Sequence, residues 1–263
     1  MRVRPAMLSP TITVAIITVT GITTTTITII TAMDDGALFD LLSWMSPAWP
    51  VGAFAHSGGI EWAVEAGHVI SRDTTVAWIG DLLEYGPLFN EAVFFLHALR
   101  AAQASDAARL TEVAELAVAA QSGFERHLET TAQGAAFRRI ALQSTQPSAF
   151  ASLIAHVPDG ALAYPVAAGC LFGCQGISER HGLVAYLHGC VANLVSAAQR
   201  LVPLGQTDGQ QALLALRGPV RAMAAEVIAL PDGDPFLALR GCTLVAEIGC
   251  MAHETQYTRL FRT

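Results

Sequence analysis

From Met33 onward the chain is a succession of apolar stretches recurring at three and four residues, cut apart by glycine and proline, with no two-residue alternation that would support a strand. Only packed helices satisfy that pattern. Leu38, Leu41, Leu42 and Met45 form the first stripe, which Pro47 ends. A short helix over Gly59–Ala66 is closed by Gly67 at the position a C-cap prefers. Asp73 starts a helix striped by Val76, Ile79 and Leu83, and Gly86-Pro87 divides it from another over Leu88–Ala102. Ser105 is placed to cap residues 106–121. Glu125–Leu142 is amphipathic, with Arg126, Glu129, Arg138 and Arg139 expected on a charged outer side. Pro147 and Pro158 bracket a short helix.

The segment Ala161–Gln175 is rich in alanine, glycine and cysteine, so neighbours can approach it closely, and it reads as a central helix. A second strongly apolar helix covers 181–200. Asp208 can cap a helix from Gln210 to Leu230, in which Gly218-Pro219 predicts a kink or a break. After the turn Pro231-Asp232-Gly233-Asp234-Pro235, a last helix is expected through Leu237, Leu239, Leu244, Val245 and Ile248. The sum is an all-α fold, a single-domain bundle of roughly ten helices over residues 33–250. Residues 251–263 carry too few apolar positions to pack alone and read as a flexible arm. Residues 1–32 stand apart, with ten threonines, seven isoleucines and no acid. They read as a low-complexity segment, disordered or upstream of a true start at Met33. Arg2 and Arg4 suit a signal peptide, but the β-branched run and the missing small-x-small site do not.

Composition narrows the function classes. All 15 basic residues are arginine, against 22 acids and a net charge of −7, which argues against a general nucleic-acid groove. The apolar share of 52% exceeds that of an average soluble chain, and burial by protein partners is one explanation. A membrane reading of 161–178 and 183–198 is opposed by Gln175, Asn193, Ser196 and the prolines. The five cysteines are an odd number, no CxxC pair occurs, and a reducing cytoplasm fits better than disulfides or a closed zinc site. Neither a Walker A sequence nor a GxGxxG after a strand is present, so no cofactor is implied.

The loop Ser46–Trp62 is the most informative stretch. Two prolines, three glycines and the rings of Trp49, Phe54 and Trp62 describe an ordered irregular loop. His56, Ser57 and Glu61 invite a hydrolase reading, yet Ala55 stands where a nucleophile elbow needs glycine, so a structural or partner-contact loop is favoured.

Three motifs, in this order, resemble the UreF family of urease accessory proteins. They are Ser46-Pro47-Ala48-Trp49-Pro50-Val51-Gly52-Ala53-Phe54 continuing through Ser57–Gly67, then Val202-Pro203-Leu204-Gly205-Gln206-Thr207, then His253-Glu254-Thr255-Gln256-Tyr257 with Arg259-Leu260-Phe261-Arg262. The resemblance covers about residues 35–263. It implies a non-catalytic cytoplasmic homodimer that binds UreD (also called UreH) and recruits the GTPase UreG for GTP-dependent nickel delivery to apo-urease. It also implies an arm, 251–263, that orders against its partner. The partner-binding candidates are Trp49, Pro50, Phe54, His56 and Glu61 in the loop, Gln206, and His253, Glu254, Gln256, Tyr257, Arg259, Phe261 and Arg262 in the arm. Ala55-His56 departs from the serine–tyrosine or serine–tryptophan pair of the family, and Thr258 and Thr263 replace common serines.

Overall fold

The computed structural model describes residues 33–145 and 148–263, so the expectations for 1–32 and for a turn at Pro147 lie outside the described residues. Eleven α-helices run through the described chain: α1 Asp35–Trp44, α2 Ile60–Glu65, α3 Arg72–Tyr85, α4 Pro87–Gln103, α5 Ala107–Ala119, α6 Phe124–Ser144, α7 Ser148–Ile154, α8 Tyr164–Cys174, α9 Glu179–Leu201, α10 Gln206–Ile228 and α11 Leu244–His253. Short 3-10 turns occupy Ala53–Ala55, Asp159–Ala161 and Pro235–Ala238, and no strand occurs among the described residues. None of the described helices is long and apolar enough to cross a membrane.

The core is built on α8. Every residue from Pro165 to Gly173 is buried, and α4 lies lengthwise against it. That contact depends on missing side chains: a Cβ on Gly169 would overlap the Phe95 carbonyl oxygen, and one on Gly173 the Leu99 carbonyl oxygen. Small residues four apart let the two backbones meet, and Phe95, Phe172 and Tyr186 fill the flanks as a ring cluster with centroids 4.9 and 5.4 Å apart. Arg100 of α4 then grips Glu179 at the start of α9 through Nε at 2.8 Å and Nη2 at 3.1 Å. The outer helices are therefore referred to one rigid pair.

Local chemistry moves several expected boundaries. Ser71, not Asp73, caps α3: its Oγ accepts from Thr74 N at 3.3 Å while Thr74 Oγ1 accepts from Ser71 N at 2.9 Å. Asp106, not Ser105, caps α5, and Ser105 takes the left-handed turn at φ 56°. Asp208 sits inside α10, where its carboxylate accepts from Gly205 N at 3.2 Å. Pro219 does not break α10, because Ala215, Gly218 and Pro219 all face solvent and water can satisfy the carbonyl that loses its donor. The last helix starts at Leu244: Leu239 is extended, and Asn90 holds Arg240 through a pair of 2.8 Å bonds to its main-chain N and O.

Gly169→Ala is expected to destabilise the fold by about 2–4 kcal/mol through forced separation of α4 and α8. Gly80→Ala, inside α3 where a new Cβ would meet nothing beyond its own helix backbone within 4 Å, is expected to stabilise by about 0.5–1 kcal/mol. Urea denaturation of the two variants checks both signs.

Candidate functional site

Glycines shape the loop that leads into α2. Gly52, Gly58 and Gly59 have φ of 82°, 58° and 88°, left-handed values that side chains resist. At Gly59 a Cβ would also strike Cys250 Sγ, so this turn is tied to the packing of α11. The turn delivers Ser57 and Glu61, both buried, to one side of the first turn of α2. Trp49 is half-buried beside Phe137, ring centroids 6.1 Å apart, while Pro50 and Phe54 are exposed.

The C-terminal residues lie against these buried groups. Glu61 is only 6% exposed and accepts three donors: Leu260 N at 2.6 Å, Phe261 N at 2.9 Å and His253 Nε2 at 3.0 Å. His253, fully buried, presents Nδ1 to Glu125 at 2.7 Å, and Glu125 also accepts from Arg259 Nη1 at 3.1 Å. Each ring nitrogen of His253 therefore faces a carboxylate oxygen. Thr263 closes the arrangement. Its main-chain oxygen accepts from Ser57 N at 2.7 Å and Ser57 Oγ at 2.9 Å, its hydroxyl meets His56 Nδ1 at 2.7 Å, and Arg262 N donates to Ala55 O at 2.8 Å.

Behind this layer Arg126 bridges Glu91 and Glu129, at 2.9 Å each, and Tyr186 donates to Glu91 at 2.8 Å. Burial raises the Glu91 carboxyl above its ordinary range, against the opposing pull of Arg126. A cavity of 540 Å³ opens beneath the loop, between Trp44, Trp49 and Phe54 on one side and Glu91, Arg126 and His188 on the other. Arg200, in the last turn of α9, lies 3.8 Å from the Phe54 ring centroid and 4.1 Å from that of Phe261.

The structure thus brings together the loop and the arm, which sequence placed far apart. It does not assemble His56, Ser57 and Glu61 into a nucleophile, base and orienter: each is bonded to the arm, and the link among them is a 3.4 Å contact from Glu61 N to Ser57 Oγ. Gln206 is exposed at the start of α10, and no hydrogen bond between described residues joins it to either segment. Met251, Ala252 and His253, counted into the arm from sequence, form the last turn of α11. Glu254 caps α6 by accepting from Phe124 N at 3.1 Å, Gln256 Nε2 donates to Thr258 O at 2.9 Å, and Tyr257 and Arg262 point to solvent. Arg126 and Glu129 are corrected: they face inward rather than onto an outer side, and with Glu125 they form the buried half of the site. Their spacing, two acids four apart around an arginine, was the signal available for a self-neutralising inward face.

Comparison with known proteins adds a second line of argument. The family model described as UreF matches residues 69–217. The chain belongs to the UreF family. A curated urease accessory protein UreF from Rhodopseudomonas palustris (strain BisB5) is 45% identical over 236 residues, covering 89% of this chain and 94% of the relative. Its counterparts from Bradyrhizobium sp. (strain BTAi1 / ATCC BAA-1182) and Bradyrhizobium diazoefficiens are 44% and 41% identical over 234 residues, each covering 89% of this chain and 95% of the relative. The three motifs quoted from the sequence therefore lie in a chain that is UreF-like over most of its length.

Two outcomes follow for this UreF-family site. Glu61→Gln offers one acceptor where three donors converge and turns an amide N–H toward the others, so it is expected to cost about 2–4 kcal/mol in urea denaturation. Burial lowers the His56 pKa below its ordinary 6.5, with Arg262 and Arg126 adding to that and Glu129 and Glu125 opposing it. The unfolded chain takes up this proton first as pH falls, so the His56 contribution is present above pH 6.5 and is lost through the lower folded-state value. Wild type is expected to lose more stability than His56→Gln between about pH 7.5 and about pH 5.5. Equal slopes would contradict that assignment.

Proposed function

We propose that the chain acts in urease maturation as a non-catalytic accessory scaffold. In this reading it bridges UreD/UreH and the GTPase UreG, supports GTP-dependent nickel insertion into apo-urease, and works as a cytoplasmic homodimer. Membership of the UreF family supports the urease assignment. The bridging role rests on one observation: the buried polar side chains His56, Ser57 and Glu61 of the loop are all bonded to the arm, and the side chains the two segments turn outward include Phe54, Tyr257, Leu260 and Arg262. Aromatic and arginine side chains on a rigid support are the usual anchors of protein interfaces.

Co-purification with UreD and UreG, and rescue of urease activity in cells lacking this chain, test the assignment. Tyr257 and Arg262 are the sharper probes, because their side chains are exposed. Tyr257→Ala combined with Arg262→Glu is expected to leave circular dichroism and the thermal midpoint unchanged and to weaken capture of UreD by about ten-fold or more. Capture at wild-type strength would count against the arm as a docking surface.

A further inference from the structure

Arg200 stands apart from the buried carboxylates yet touches both the loop and the arm. It leaves the last turn of α9, anchors Nε on Ser196 O at 3.2 Å, and donates from Nη1 to Phe54 O at 2.8 Å. Both phenyl rings then rest on its guanidinium, Phe54 from the loop and Phe261 from the arm. The loop ring is 69% exposed and the arm ring is buried, so one side chain fixes an outward anchor and an inward one at once.

We propose that Arg200 is a positioning residue that makes the loop and the arm a single surface. The main-chain bonds from Arg262 to Ala55 and from Ser57 to Thr263 set the alignment of the two segments. Without Arg200 they leave the Phe54 ring unsupported and Phe261 with one neighbour fewer. The property required is a flat cation: a guanidinium can lie against two rings while donating in its own plane, whereas a lysine ammonium is a compact, strongly hydrated charge that cannot do all three. The proposal rests on the docking reading above for its effect on partners, but not for its effect on the arm.

The test uses the full chain as wild type, Arg200→Lys, Arg200→Gln, Phe54→Leu and the Arg200→Gln/Phe54→Leu double variant. Hydrogen exchange across 258–263 and affinity for purified UreD are read side by side. Both Arg200 variants are expected to speed exchange by about five-fold or more with little change in thermal midpoint, and to weaken UreD binding to a similar degree. In the Phe54→Leu background, Arg200→Gln should add less than it does alone, since the two residues share one interaction. Wild-type exchange in Arg200→Gln overturns the proposal, as does full rescue by lysine. Faster exchange with unchanged affinity leaves Arg200 as the clamp and removes the docking reading instead.

Discussion

The structure turns on one buried carboxylate. Glu61 stands in the first turn of a six-residue helix, almost out of contact with water, and an ionised carboxylate is tolerated there only if donors replace the solvent it lost. Its donors are two backbone N–H groups and an imidazole, all from residues about two hundred positions later. The loop thus needs the arm to satisfy Glu61, and the arm needs Glu61 to have anywhere to sit. Neither segment is a separate unit.

That dependence places demands on the scaffold. Donors held at 2.6–3.0 Å lose their value if α2, α6 and α11 shift against one another. The α4–α8 pair supplies the fixed frame, since two backbones in glycine contact have no side-chain layer to yield. Glu91 on α4 and Arg126 and Glu129 on α6 carry the frame into the site, and Asn193 and Arg200 extend it along α9 to the loop carbonyls at His56 and Phe54. The glycine at 59 completes the path, because it lets the α2 turn close on Cys250 of α11.

Much of this was legible in the sequence, and the failures share a cause. Apolar recurrence located the helices, and the small residues of 161–175 correctly marked the close-packed centre, because both signals come from burial of apolar surface. Counting apolar positions gave no sign of where residues 254–263 sit, because only Phe261 among their apolar residues is buried and the contacts are backbone donors on a carboxylate. Charge misled at Arg126 and Glu129, which signal solvent until they are seen to neutralise one another. Caps were misplaced by one or two residues at Ser71 and Asp106 because Ser, Thr and Asp occur side by side there and any of them could cap. His56 stood out as the departure from the family pattern, and its role on Thr263 could not be read before the two ends of the chain were seen to meet.

The central claim is that, in the chain by itself, the arm is fastened to the loop through Glu61. Amide proton exchange resolved by NMR at Leu260 and Phe261 in the isolated wild-type protein tests it most directly. The account predicts two strongly protected amides, shifted downfield by their bonds to a carboxylate and exchanging far more slowly than those of the exposed neighbours Tyr257 and Thr258. Exchange at Leu260 and Phe261 at the rate of an unstructured peptide would contradict it.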